Sequence, residues 1–262
     1  MTDPLLLRTD DNAIATLTMN NPGALNALSE GMLDALQSEF DRLRTDRSIR
    51  VVILRAAGRA FCAGHDLKEM TAGRQAEDGG KSYFQALFST CSKMMLTIRE
   101  LPQPVIAEVH GIATAAGCQL VATCDLAVAE REARFGVNGV NIGLFCSTPM
   151  VALSRNISRK KTFELLTTGD FLSADQALEA GLVNQVADAN ELSAATRALA
   201  DKIAVKLAAA VKVGKEAYYR QLEMGLADAY AYTGEVMAEN MMFRDTEEGI
   251  AAFLEKRPPD WE

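Results

Sequence analysis

Apolar positions change their period several times along the chain, and each change marks an element. Leu5-Leu-Leu-Arg8 and Ile14-Ala-Thr-Leu-Thr-Met19 flank the polar Asp10-Asp-Asn12, which predicts an opening hairpin with its turn at those residues. Met32, Leu33, Leu36, Phe40 and Leu43 then fall at helical spacing behind Ser29, a side chain suited to accept the first free N–H groups of a helix. Val51-Val-Ile-Leu54 and Val105-Ile-Ala107 are short unbroken apolar runs, the pattern of buried strands. Strands alternating with helices predict an α/β chain.

Asp66-Leu-Lys-Glu69 and Ser173-Ala-Asp-Gln176 have the spacing of capping boxes, and Gly181 supplies the stop for the second helix. Between Met70 and Gly80 the chain is polar and carries glycines, which predicts a loop able to act as a lid before helix resumes at Ser82-Tyr-Phe84. From Glu191 the sequence is helical almost without interruption until Pro258-Pro259, with Asp245-Thr-Glu-Glu248 expected to cap the last helix.

With 262 residues, 48% hydrophobic and 24% charged, the chain can bury a sizeable core. Its net charge of −8 excludes a long-range positive field for nucleic acid or an anionic membrane, so any phosphate must be held by local groups. The five cysteines include no CxxC pair and no His/Cys cluster at zinc spacing, which predicts buried free thiols in a reducing compartment and no metal. Neither a secretory signal nor an Arg/Ser-rich transit segment opens the sequence, and the expected location is cytoplasmic.

The candidate chemistry lies in two turns of small residues, Ala63-Gly64-His65-Asp66 and Ala115-Ala116-Gly117-Cys118, each placed to open a helix. N–H groups at a helix start have no intrahelical partner, and the helix dipole strengthens their pull on negative charge. Two of them converging on one carbonyl oxygen would polarise it.

The stretches Phe61-Cys-Ala-Gly-His-Asp-Leu-Lys-Glu-Met70 and Pro104-Val-Ile-Ala-Glu-Val-His-Gly111 resemble two signatures of the enoyl-CoA hydratase/isomerase, or crotonase, family. The resemblance continues in order through Asn26-Ala-Leu28, Cys124-Asp125, Leu166-Thr-Thr-Gly-Asp170, Ala177-Leu-Glu-Ala-Gly-Leu-Val183 and Gly249-Ile-Ala-Ala-Phe-Leu-Glu-Lys-Arg257. It implies a spiral of strand-strand-helix units over residues 1–200 holding a CoA site, and a helical oligomerisation region over 201–262. It further implies homo-trimers or hexamers, an acyl-CoA thioester as ligand, and no cofactor beyond the CoA of the substrate.

By the same resemblance, the N–H groups of His65 and Ala116 form the oxyanion hole. Ala24, Leu25, Ala63, His65, Asp66, Leu67 and Lys68 contact CoA, and Lys256 reaches a nucleotide phosphate. The family's two glutamates fall on Gln119 and Gly139, neither of which ionises near neutral pH, so hydration is expected to be weak or absent. The loop Phe135–Thr148 is most similar to a glutamate-lacking branch of the family.

Two other readings stand beside the enzymatic one. A non-catalytic acyl-CoA-binding or scaffold protein would keep the hole and turn nothing over. A malonyl-type decarboxylase would need no base, although the tyrosine of that branch falls near Cys146. Ser147 and Thr148 read as helix caps, His110 as a hydrogen-bonded structural histidine, Asp66 and Asp125 as capping or turn-bridging acids, and the Met94-Met95 and Met241-Met242 pairs as core or interface packing.

Overall fold

The computed structural model describes residues 3–261. It opens with an antiparallel hairpin of β1 (Leu6–Asp11) and β2 (Ile14–Met19). The turn falls one step later than predicted, at Asn12 and Ala13 with φ of 49° and 64°, so Asp10 and Asp11 extend the strand. Two consecutive positive φ values give the twist that a two-residue hairpin link requires.

β3 (Val51–Ala56), β4 (Val105–Val109), β6 (Leu126–Glu130) and β9 (Gln185–Ala187) continue in parallel from β2, giving a six-stranded sheet of order β1-β2-β3-β4-β6-β9. A smaller sheet, β5-β7-β8, joins β5 (Ile112–Thr114), β7 (Arg134–Gly136) and β8 (Phe171–Ser173). Around them lie α1 (Glu30–Leu43), α2 (Leu67–Gly73), α3 (Lys81–Glu100), α4 (Ala116–Thr123), α5 (Pro149–Asn156), α6 (Arg159–Thr168) and α7 (Ala174–Ala180). Four more helices follow, α8 (Leu192–Ala204), α9 (Ala208–Gln221), α10 (Leu226–Met241) and α11 (Arg244–Glu255).

The unbroken apolar runs arise because the large sheet is covered on both faces. Val52, Leu54, Val105 and Ala107 face the main core with Met32, Leu36 and Phe40 of α1 and Met94 and Ile98 of α3. Their neighbours Val51, Ile53, Ile106 and Val128 face the other way, against Leu192 and Ala200 of α8. Residue 200, the expected limit of the core, thus lies inside a helix packed on the sheet.

Local punctuation agrees with the sequence in part. Ser29 Oγ accepts from the Met32 N–H at 3.2 Å, and Ser173 with Gln176 forms the full capping box. Asp66 does cap α2, accepting from the Lys68 N–H at 2.7 Å, but Glu69 does not reach back. Its carboxylate instead accepts from the Glu30 N–H at 2.8 Å and ties α2 to the start of α1. The last helix begins after Phe243, so Asp245 lies inside its first turn and is not its cap.

A buried ion pair fastens the helical end of the chain to the sheet. Lys215 Nζ on α9 donates to Asp125 Oδ2 at 2.6 Å and to the carbonyls of Ile98 and Gln103, while the Tyr219 hydroxyl donates to Asp125 Oδ1 at 2.7 Å. With the two side chains only 6% and 13% exposed, removing either partner strands a buried charge, a loss of about 3–5 kcal/mol. Asp125 also accepts from the Val105 N–H, as a bridging acid should.

Candidate active site

Residues 61–66 run between two other stretches of backbone. Cys62 exchanges hydrogen bonds with β5, donating to the Ile112 carbonyl at 3.1 Å and accepting from Thr114 at 3.0 Å. Further on, the Leu28 N–H donates to the Gly64 carbonyl at 2.7 Å, and the Ala63 N–H donates to the Leu25 carbonyl at 3.1 Å. His65 forms an isolated parallel bridge with Leu28, a pairing in which Leu28 bonds the residues on either side of His65 and the His65 N–H points away. Among the described residues no acceptor lies within hydrogen-bond reach of that N–H.

The second turn is strained. Ala115 sits at φ 50°, ψ −118°, a conformation that L side chains rarely adopt, held by its own N–H donating to the Gly136 carbonyl at 2.9 Å. Directly after it, Ala116 opens α4 with an N–H that likewise has no acceptor among the described residues. The two turns touch through missing side chains. A Cβ on Gly64, itself at φ 90°, would lie 3.3 Å from the Ala116 nitrogen, and one on Gly117 would lie 2.2 Å from the Cys62 carbonyl oxygen. Glycine at both positions is what lets α4 approach the first turn.

The expected CoA residues divide. Ala24 and Leu25 lie in the short turn after Pro22, which the Leu25 carbonyl joins to Ala63, and Asn26 anchors that turn with its amide donating to the carbonyls of Ala57 and Ala60 at 2.8 Å. Asp66, Leu67 and Lys68 follow on the first turn of α2, with Leu67 and Lys68 exposed. Lys256 stands apart at the end of α11, and no hydrogen bond or ion pair among the described residues joins it to the turns.

The imidazole of His65 packs edge-on against Phe88, its Nδ1 at 3.4 Å from the Leu28 carbonyl and its Nε2 buried without a partner. Burial pushes its pKa below the ordinary histidine value. His110 bonds the Gly58 carbonyl at 2.8 Å, as a structural histidine should.

Gln119 and Gly139, the positions to which the sequence resemblance assigns the family's two glutamates, differ sharply. Gln119, one turn along α4 from Ala116, is 5% exposed and its Oε1 has no partner; it lines a cavity of about 550 Å³ bounded by α3, α4, α5 and α9. Gly139 lies in a tight turn over Asn138–Ile142, where a Cβ would meet the Leu144 carbonyl oxygen at 2.3 Å and Cys146 Sγ at 2.8 Å. Cys146 occupies the space a longer side chain would need, its thiol raised in pKa by burial.

All five cysteines are buried and free, and burial raises Cys62, Cys91 and Cys118 to about 12, so these thiols are poor nucleophiles. Met94 and Met95 are core residues, whereas Met241 and Met242 are exposed. No helix among the described residues is long and apolar enough to cross a membrane. The sequence gives no sign of Arg99, Arg155, Tyr218 and Glu223 around the cavity, because they come from three helices and the turn after α9, with no shared spacing.

The chain belongs to the enoyl-CoA hydratase/isomerase family, whose pattern matches residues 9–262, and it is an enoyl-CoA hydratase-like protein of the crotonase fold. Among known proteins it is similar to the mitochondrial enoyl-CoA hydratase domain-containing protein 3 of Xenopus laevis, 46% identical over 98% of this chain and 86% of the relative. The crystal structure of the human protein of that name is 44% identical, covers 98% of this chain and 100% of its own, and superposes with a TM-score of 0.93. A solved enoyl-CoA hydratase of Mycobacterium smegmatis is 55% identical over 99% of both chains, with a TM-score of 0.95. The names of the similar vertebrate relatives also correct the expected cytoplasmic location, since those proteins are mitochondrial.

Proposed function

We propose that this chain binds an acyl-CoA thioester and polarises its carbonyl between the backbone N–H groups of His65 and Ala116, stabilising enolate-like charge without a pair of acid–base glutamates. One observation carries this reading: two N–H groups with no acceptor, on turns that touch only because Gly64 and Gly117 have no side chains. Preorganised donors of this kind contribute about 3–4 kcal/mol apiece when charge develops on the oxygen. Backbone around Ala24, Leu25, Ala63 and Asp66, with Leu67 and Lys68 at the rim, holds the CoA, and Lys256 serves its phosphates from a neighbouring copy or after a movement of α11.

Hydration is weak in this reading. Gln119 can orient a water through its amide but cannot take its proton, and nothing at Gly139 replaces the second carboxyl. The filled space at Gly139 favours, as the second reading, binding without turnover. The decarboxylase reading loses support, since Cys146 is buried and offers no phenol to the cavity. The large apolar side chains left exposed on α10 and α11, among them Leu226, Tyr230, Met242 and Phe253, support assembly of copies as a trimer or hexamer.

The test is infrared difference spectroscopy of an acyl-CoA labelled with ¹³C at the thioester carbonyl. Binding is expected to shift that carbonyl to lower frequency, and deuterium from heavy water is expected to enter at Cα slowly, with solvent hydroxide taking the Cα proton and the two amides holding the enolate-like oxygen. Binding with no carbonyl shift would refute the two-amide hole; a shift without exchange would favour the non-catalytic reading.

A further inference from the structure

The cavity begins at Gln119, one helical turn along α4 from Ala116, and is lined further along that helix by Ala122 and Thr123; from Ala116 to Thr123 the helix advances about 10 Å, the reach of a medium-length acyl chain. One side is apolar, formed by Met95, Leu96, Val151, Ala152 and Leu222. A wall of this kind suits methylene groups.

The other side is polar. The hydroxyls of Ser92, Thr148 and Tyr218 have no hydrogen-bond partner among the described residues, and Gln119, 95% buried, contributes an amide whose oxygen is unpartnered. At the end remote from the turns stand two guanidinium groups that share a single carboxylate oxygen. Arg155 lies 3.6 Å and Arg99 3.9 Å from Glu223 Oε1, both beyond the 2.7–2.9 Å of a charge-assisted hydrogen bond. Arg99 is also stacked 4.4 Å over the Tyr219 ring. The other acid in the wall, Asp125, is already engaged by Lys215 and Tyr219. Cationic donors at this end therefore outnumber free anionic acceptors.

We infer that this cavity takes the acyl chain of the thioester and selects chains whose far end bears a carboxylate, held between Arg155 and Arg99. The inference rests on the acyl-CoA reading given above and names the class of substrate for that site. An all-apolar chain would fill the methylene wall but exclude water from the guanidinium and hydroxyl groups without replacing its hydrogen bonds, the condition under which a polar pocket rejects an analogue. A terminal carboxylate accepts from both guanidiniums while Glu223 turns to solvent.

Titration calorimetry of the full chain with suberoyl-CoA, carrying one free carboxylate, and with octanoyl-CoA of equal length tests this. Suberoyl-CoA is expected to bind about tenfold more tightly. In Arg155→Gln the ratio of the two affinities should collapse towards one, and in Arg155→Lys it should be partly restored. Arg155 is half exposed, so neither variant is expected to unfold the chain. Equal affinities, or a preference untouched by Arg155→Gln, would overturn the inference and leave the acyl-CoA reading standing. Failure of both thioesters and of CoA itself to bind would overturn that reading, and this inference with it.

Discussion

Gln119 and Gly139, the two places to which the sequence resemblance assigns the family's acids, differ in what each would need to hold one. Gln119 is close in shape to glutamate, faces a cavity and leaves its oxygen unpartnered. At Gly139 the space for a side chain is taken by the Leu144 carbonyl and the Cys146 sulfur. A carboxyl group can be placed at one position by exchanging one heavy atom, nitrogen for oxygen, while at the other the turn must first be rebuilt.

The sharpest way to break this comparison is to disturb the scaffold that both positions depend on. Gly117→Ala forces a methyl group against the Cys62 carbonyl and is expected to cost about 3 kcal/mol in chemical denaturation, with loss of acyl-CoA binding, because it separates the two turns. Gly139→Glu should come next, destabilising by about 2 kcal/mol and giving no gain in hydration of crotonyl-CoA. A well-folded, active Gly139→Glu variant would show that the turn yields easily.

Gln119→Glu is expected to cost about 1–2 kcal/mol, the charge being 95% buried but facing a cavity open to water on one side, and to raise the hydration rate by at least about tenfold as a positioned acid–base group is introduced. Adding Gly139→Glu to it should bring no further gain. The smallest effect belongs to the His65 ring. Its folded-state pKa lies below the unfolded value of 6.5, so the unfolded chain binds more protons and stability falls as pH drops through that value. His65→Gln should flatten this part of the pH–stability curve, measured by thermal denaturation between neutral and mildly acid pH.

Much of the fold is legible in the sequence because it depends on neighbours a few residues apart. The Ser29 and Ser173 caps and the buried face of α1 are of this kind. Other features depend on contacts that spacing cannot reveal. Glu69 has the right separation for a capping box, but the start of α1 lies beside it and offers an N–H from 39 residues away. Asp125 reads correctly as a bridging acid, while its main partner Lys215 is 90 residues distant. For the site, Gln119 and Gly139 stand out only as letters, and that one faces an open cavity while the other lies in a filled turn requires the packing of residues 139 to 146.

The Leu144 carbonyl next to Gly139 also limits which single substitutions the site accepts. With that oxygen where a Cβ would go, a one-codon change to an acid there produces a misfitting loop rather than a new catalyst. Descendants of such a chain are steered towards chemistry, or simple ligand capture, that manages with amide hydrogens alone.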